Sequence, residues 1–205
     1  MNKTNQKDKI YTMITLRPLH LSDAPLMLEW MHDYELVKDL HKDFSSMTIE
    51  NCENFIKKAQ DDKNNLHLAI ALLEADTVNS TIAEADIPNL ASDGTYLGTA
   101  SLKDIDATLA IAEFGIVIRR CATGKGYSIE AMKQILNKGF QDLHLRQIYW
   151  CVDSENKRAL RFYDKNGYNR VNLKDYPALY NHIVESGDYE QDKIDSYIWY
   201  IAEEQ

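Results

Sequence analysis

Apolar residues recur along the chain at two spacings, which divide it into short strands and amphipathic helices. Alternation, as in Leu66, Leu68 and Ile70, predicts half-buried strands. Spacings of three and four residues predict helices. The predicted strands are residues 13–19, 66–72, 96–102, 109–118, 147–152, 168–173 and 194–202. The predicted helices are residues 22–31, 48–59, 127–140 and 156–166.

The order of these elements predicts the fold class. It reads β-α-α-β-β-β-α-β-α-β-β, without the strict alternation of a doubly wound parallel fold. Segment 109–118 is nearly all apolar, as expected for a strand covered on both faces. We therefore predict an α/β (α+β) protein with a mixed sheet of about seven strands and helices on both faces. One domain is expected over 13–205, after a flexible tail at 1–12, with a long surface loop at 74–94.

Composition narrows the function. The 205 residues carry a formal net charge of −9, which argues against a nucleic-acid-binding protein. The longest apolar runs are too short to span a bilayer, and the polar segment 1–9 does not resemble a secretory signal. The three cysteines and six histidines have no metal-ligand spacing, so we predict a cytoplasmic protein without a metal.

Two glycines mark the segment with the clearest chemistry. Gly124 and Gly126 lie between the apolar strand and the helix that begins near Tyr127. Such a loop lets backbone N–H groups approach an anion at the helix start. Arg119 occupies the position where a P-loop needs Gly, and Ile129 the position where a dinucleotide fingerprint needs Gly or Ala. By itself the loop is equally compatible with a tight strand-to-helix turn.

A later segment makes the glycine loop more informative. Residues 156–168 read Asn-Lys-Arg-Ala-Leu-Arg-Phe-Tyr-Asp-Lys-Asn-Gly-Tyr. Together, loop and helix resemble the GCN5-related N-acetyltransferase (GNAT) superfamily, specifically over 112–168 and in architecture over 13–173. Cys121 departs from the family pattern, which has Gln or Arg there; Arg119 and Arg120 are candidates to supply the charge.

The resemblance implies that acetyl-CoA binds to the fourth strand, the loop and the helix start. It assigns cofactor contacts to Ile116, Val117, Ile118, Arg119, Cys121, Ala122, Thr123, Gly124, Lys125, Gly126, Tyr127 and Asn156. Two of these residues have an alternative role. The Lys125 side chain is nearly as well explained as one that only contacts solvent, and Asn156 as the N-cap of the helix that follows it.

Acetyl transfer to an amine needs a base and an acid. Glu113 is the candidate base, because it is a carboxylate in an otherwise apolar strand and desolvation raises proton affinity. A structural glutamate paired with a basic residue is the alternative. Tyr163 is the candidate acid, because it matches the family tyrosine that faces the cofactor sulfur. A core aromatic is the alternative.

The acceptor is less clearly indicated. Glu29 and Asp33 are candidates to attract a cationic amine, or simply solvated charges, and Trp30 is a candidate pocket wall. The resemblance favours a small amine of the polyamine or amino-sugar type. A protein N-terminus of the ribosomal-protein type and a non-catalytic acyl-CoA-binding module are the alternatives. Aromatic residues of the last strand, such as Trp199, make a homodimer conceivable.

Overall fold

The computed structural model describes residues 14–38, 40, 43–73 and 94–204, apart from the side chains of residues 191 and 192. The predicted tail lies outside these residues, as does all but the last residue of the predicted loop 74–94.

Seven strands form one sheet in the described part of the chain. They are β1 Ile14–Pro18, β2 Leu66–Leu72, β3 Thr95–Asp106, β4 Ile111–Ile118, β5 Gln147–Val152, β6 Arg170–Val171 and β7 Ile198–Glu203. The sheet order is β1-β2-β3-β4-β5-β7-β6. Only the β4–β5 pair among these strands is parallel. The predicted mixed sheet is confirmed.

Seven helices accompany the sheet within the same residues. They are α1 Ala24–Met31, α2 Tyr34–Val37, α3 Ile49–Ala59, α4 Tyr127–Gln141, α5 Lys157–Lys165, α6 Pro177–Ser186 and α7 Gln191–Ile194. Their starts follow from local chemistry. Thr48 forms a capping box with Asn51 before α3, and Asn156 caps α5 by accepting from the Ala159 N–H at 2.9 Å. None of these helices is long and apolar enough to cross a membrane.

The two faces of the sheet are covered differently. On one face, α4 and α5 pack on the central strands, with Met132 and Ile135 fully buried. The opposite face carries two separate apolar clusters. One lies beneath α1 and α3 around Ile56, and the other beneath α6 around Ile183. Because neighbouring strand residues point to opposite faces, Glu113 shares the second face with Ile111.

The strands around the centre differ from their predicted bounds. β3 continues beyond residue 102 to Asp106, because Lys103 still pairs with Glu113 across β4. β4 begins at Ile111 rather than 109. The Asp106 carboxylate accepts the N–H groups of Thr108 and Leu109 and so stabilises the turn between the strands.

The C-terminal part contains a helix, α6, that is not among the predicted elements. α6 has proline at its first position and ends at Gly187, with φ +73°. The predicted strand 168–173 is reduced to Arg170–Val171, because Asn172 caps a 3₁₀ turn. The predicted strand 194–202 starts later, since Ile194 ends α7 and its carbonyl accepts from the Trp199 indole.

The aromatic residues that suggested a dimer have a different place. Trp199 and Tyr200 lie in strand β7, between β5 and β6, with exposed fractions of 3% and 0%. They are therefore buried in the chain's own core and cannot form a surface for a second copy. The homodimer itself remains a prediction.

Candidate active site

The glycine loop lies between β4 and α4 and is open to its surroundings. Gly124 and Gly126 have φ angles of +76° and +85°, a backbone region that side chains disfavour. A Cβ atom added at either position would meet nothing within 4 Å. Gly126 is the N-cap of α4 and provides no side-chain cap. The first N–H groups of a 15-residue helix therefore face an open loop, as an anion-binding site requires.

The other loop residues differ in exposure. Cys121 and Lys125 are exposed and Thr123 is half-buried, whereas Ala122 and Tyr127 are buried. Ala122 and Tyr127 join the apolar cluster beneath α4, so their side chains hold the loop against the sheet. Any contact that these two residues make with an anion must therefore come from the backbone.

A gap opens between β4 and β5 beside this loop. The last paired residues are Glu113 and Tyr149, and none of the described residues pairs with β4 on the β5 side beyond that point. Ile116, Val117 and Ile118 therefore border the gap, although they still pair with β3 on their other side. These three residues belong to the fourth strand, to which the family resemblance assigns the cofactor.

Tyr163 lies beneath the gap, on the α5 side of the sheet. Its ring packs against Trp150 at a centroid distance of 5.3 Å and against Tyr200 at 5.1 Å. Burial raises the pKa of the Tyr163 phenol far above its usual range, so the hydroxyl stays protonated at neutral pH. This hydroxyl makes no hydrogen bond to any described residue. The ring is thus a core aromatic, and its role as the acid remains a prediction.

The two arginines after β4 are engaged with α1 and its C-terminal end. Arg119 is 5% exposed and donates to Glu29 at 2.7 Å and to the Tyr96 carbonyl at 3.1 Å. The backbone N–H of Arg119 also donates to the Leu97 carbonyl, at 2.8 Å. Arg120 binds Asp33 through a bidentate contact, and this hydrogen bonding lowers the Asp33 pKa. In this geometry, neither guanidinium takes the place of the family's Gln or Arg at Cys121.

The structure places Trp30 in the core rather than in a pocket wall. Its ring is 6% exposed, packs edge-on against Phe44 and donates through Nε1 to the Tyr96 hydroxyl at 3.0 Å. Trp30 thus fixes α1 on the sheet. The three residues suggested for the acceptor, Trp30, Glu29 and Asp33, are all engaged within the protein.

A band of polar residues crosses the second face of the sheet between its two apolar clusters. We call it the polar strip, and it consists of His67, Ser101, Lys103, Glu113, Cys151 and Tyr189. The cross-strand pairs of β2, β3 and β4 bring the first four together. Cys151 lies two residues beyond the last pair of β5, on the same side of that strand as Tyr149, and its thiol lies 3.7 Å from the Tyr189 hydroxyl.

The contacts within the polar strip are specific. Lys103 Nζ lies 2.6 Å from Glu113 Oε1, and His67 Nδ1 lies 2.8 Å from the Ser101 hydroxyl. Burial lowers the pKa of His67 and raises that of the Cys151 thiol to about 12, so both groups are neutral at pH 7. The strip therefore presents one ion pair and several neutral hydrogen-bonding groups beside the gap.

Ser101 and Lys103 were not singled out from the sequence, and His67 and Cys151 were noted there only for their lack of metal-ligand spacing. Lys103, His67, Cys151 and Tyr189 come from four different segments. Only the register of β2, β3 and β4 places Lys103 against Glu113 and His67 against Ser101. A signal did exist for Lys103, since alternation from Thr99 through Ser101 places it on the polar side of β3.

The residues present fit a CoA-type ligand. The open glycines and uncapped helix start suit a pyrophosphate, and the β4–β5 gap suits an extended arm. The buried Trp150 indole nitrogen, whose ring packs on Tyr163, also lacks an acceptor among the described residues. The described residues hold no group of three or more His, Cys, Asp or Glu side chains arranged for a metal.

The fold and this site define an acetyltransferase-like protein. Residues 13–169 match the model of the acetyltransferase (GNAT) domain family, so the chain belongs to that family. Spermidine N(1)-acetyltransferase of Escherichia coli (strain K12) is 36% identical over 77 residues, 38% of this chain and 41% of that protein. The match thus spans about two-fifths of that relative. An uncharacterized N-acetyltransferase p20 of Bacillus licheniformis is 24% identical over 87% of this chain and 92% of its own.

Solved structures share the fold at low sequence identity. Spermidine N-acetyltransferase from Vibrio cholerae, in complex with CoA and spermine, aligns with a TM-score of 0.62 and 19% identity. That alignment covers 78% of this chain and 82% of the other. A probable acetyltransferase aligns at 0.66 and 18% identity over 93% of both chains. At this identity, the similarity establishes the fold alone.

Proposed function

We propose that this protein is an acetyl-CoA-dependent N-acetyltransferase that acts on a primary amine of a small molecule. One observation carries the proposal: an uncapped helix start with two open glycines lies beside the gap between β4 and β5. The family membership supports it, as do the relatives described as spermidine acetyltransferases. The Vibrio cholerae structure in complex with CoA and spermine supports CoA as the ligand class.

Different parts of the site would hold different parts of the cofactor. Gly124, Lys125, Gly126 and the first N–H groups of α4 would bind the phosphates. Backbone groups of 116–118 would hold the extended arm along the gap. Acetyl-CoA supplies an acetyl group already activated as a thioester. The protein then has to orient the acceptor nitrogen, take a proton from it and give one to the departing sulfur.

Glu113 is the proposed proton acceptor. Its side chain is 14% exposed and lies at the last paired position before the gap opens. The acceptor ammonium would give its proton to the Glu113 carboxylate, directly or through a water molecule. The Lys103 ammonium lies 2.6 Å from this carboxylate, so the proposed proton acceptor is the inner member of an ion pair.

Tyr163 is the proposed proton donor. Its raised pKa keeps the proton on the phenol throughout the neutral range, and no described residue competes for its hydroxyl. Transfer of this proton to the sulfur would prevent the reverse attack by a thiolate. The packing of its ring against Trp150 and Tyr200 fixes the direction in which the hydroxyl is presented.

Release of free thiol from acetyl-CoA tests the proposal. The acceptors would be spermidine, a nucleotide-linked amino sugar, an aminoglycoside and a peptide with a free N-terminus. We expect acceptor-dependent thiol release on a small amine and a loss of roughly 100-fold in Glu113→Gln. Glu204→Gln, at an exposed carboxylate near the C-terminal end of β7, is the control and should keep full activity.

Three results would count against the proposal. Turnover on the peptide alone would replace the small amine with a protein N-terminus. Calorimetric binding of CoA without turnover on any acceptor would favour a non-catalytic acyl-CoA-binding module. Absence of CoA binding would refute the cofactor site itself.

A further inference from the structure

Lys103 lies on the solvent side of Glu113, the proposed base. Lys103 Nζ is 2.6 Å from Glu113 Oε1, and the lysine side chain is 40% exposed whereas the glutamate is 14% exposed. The ammonium of Lys103 is thus the outer member of the pair. The lysine stem lies over Gly115, whose added Cβ would be 3.5 Å from Lys103 Cε. An acceptor that reaches Glu113 from solvent therefore meets a positive charge at the same place.

The acids on the α1 side do not offset this charge. Glu29 is paired with Arg119 and Asp33 with Arg120, through two hydrogen bonds each. Neither carboxylate is free to bind a second ammonium of a long polyamine without giving up an arginine. These two acids on the α1 side are thus each balanced by an arginine, although the chain as a whole carries −9.

We propose that the natural acceptor is an amine that carries an anionic group, a carboxylate or a phosphate, close to its amino group. This inference rests on the proposed function. Its ammonium would bind Glu113 while its anion binds Lys103, so each charge of the ion pair keeps a partner. A polyamine would bring a second ammonium towards Lys103. At about 4 Å such a like-charge contact costs roughly tenfold in affinity at a partly solvated site.

Pairs of acceptors that differ in the anionic group test this inference. We would measure kcat/KM for glucosamine 6-phosphate against glucosamine, for alanine against alaninamide, and for spermidine. We expect the anionic member of at least one pair to exceed both its neutral partner and spermidine by tenfold or more. The pair with the larger ratio distinguishes a phosphate from a carboxylate.

Substitutions of Lys103 test whether this residue causes the preference for the anionic acceptors. Lys103→Met should bring the ratio within each pair close to one and raise relative activity on spermidine, and Lys103→Arg should keep the preference. Lys138→Met is the matched control, because Lys138 is also ion-paired, at 2.5 Å from Asp142, and has a side-chain exposure of 41%. It lies on α4, away from the polar strip, and its ratios should equal those of the unaltered protein.

The results separate this inference from the proposed function. A preference of the unaltered protein for spermidine or the neutral amines, or an unchanged ratio in Lys103→Met, would overturn the inference while acetyl transfer stands. If no acceptor is turned over, titration of glucosamine 6-phosphate and alanine into the CoA-bound protein decides it. Binding that is lost in Lys103→Met would support the anionic site without transfer, and absence of binding would overturn it.

Discussion

Replacing Gly124 by aspartate tests the glycine loop directly. The position has a φ of +76°, and an added Cβ meets nothing within 4 Å. The fold should therefore accept the new side chain without a clash. The cost to folding is that of a side chain in the left-handed region, about 1 kcal/mol, which lowers Tm by about 2–4 °C for a chain of this size.

The expected effect on CoA binding is larger than the effect on folding. A carboxylate about 5 Å from one phosphate charge is repelled by about 0.8 kcal/mol in water and about 3 kcal/mol at an effective dielectric constant of 20. Two phosphate charges at this distance would give a total repulsion of about 2–6 kcal/mol. Affinity for CoA should therefore fall by at least about 30-fold.

Calorimetric titration with CoA measures this effect, and two variants separate its causes. Gly124→Asn has almost the same shape without the charge, so the difference between the two variants isolates electrostatic repulsion. Gly187→Asp has the same backbone strain, at φ +73° and with open space around the Cβ, but lies at the end of α6. It should lose a similar amount of Tm and keep its CoA affinity.

Equal CoA affinities of the variants would exclude the glycine loop as the phosphate site. If Gly124→Asp binds CoA within about threefold of Gly124→Asn and of the unaltered protein, phosphates do not lie at this loop. The open glycines would then be only a strand-to-helix turn. The titrations should also be repeated at 1 M salt. Because salt screens exposed charges, the difference in CoA affinity between Gly124→Asp and Gly124→Asn should become smaller if the loop is exposed to solvent.

Tyr163→Phe should lower kcat by about 100-fold or more with CoA affinity and Tm nearly unchanged, because the hydroxyl bonds to no described residue; unaltered turnover would remove it as the acid. Asp23→Asn should cost about 3–5 kcal/mol in urea unfolding, since it breaks a bidentate pair with Arg17 in which both side chains are under 10% exposed; exposed Asp142→Asn is the control and should cost under about 1 kcal/mol. Burial raises the pKa values of Tyr96, Tyr149 and Tyr163, so above about pH 10 the unfolded chain loses protons that the folded chain keeps. The free energy of unfolding should thus begin to fall at about pH 8.5, where the unfolded chain loses the proton that burial keeps on the Cys151 thiol, and should fall more steeply above about pH 10. A level profile to about pH 11 would contradict this burial.

The sequence predicted those parts of the fold whose signals are local. The Gly124–Gly126 loop, the helix after it and the Asn156 cap are each specified within a few neighbouring residues. The α6 helix shows a limit of this kind of reading. Its proline start and Gly187 stop are present in the sequence, but it is not among the helices predicted from apolar spacing. Burial of Leu179 and Ile183 against the sheet stabilises the helix.

The surroundings of Glu113 depend on strand pairing, which local sequence signals do not specify. Glu113 was noticed as an isolated carboxylate in an apolar strand, and its two interpretations were a base and a paired glutamate. The register of β3 and β4 brings Lys103 to it, so the carboxylate is paired and lies beside the gap at the same time.

The amino-acid sequence was enough to predict the order of the seven strands, the glycine loop and the family, because backbone conformation and helix capping depend on near neighbours. Which charges meet became visible only in the folded chain. Folding joined Glu29 to Arg119 and Asp33 to Arg120, over 90 and 87 residues, so both carboxylates are ion-paired. It also formed the polar strip from strands far apart in the chain. Charge pairing depends on distance in space, which spacing along the sequence does not specify.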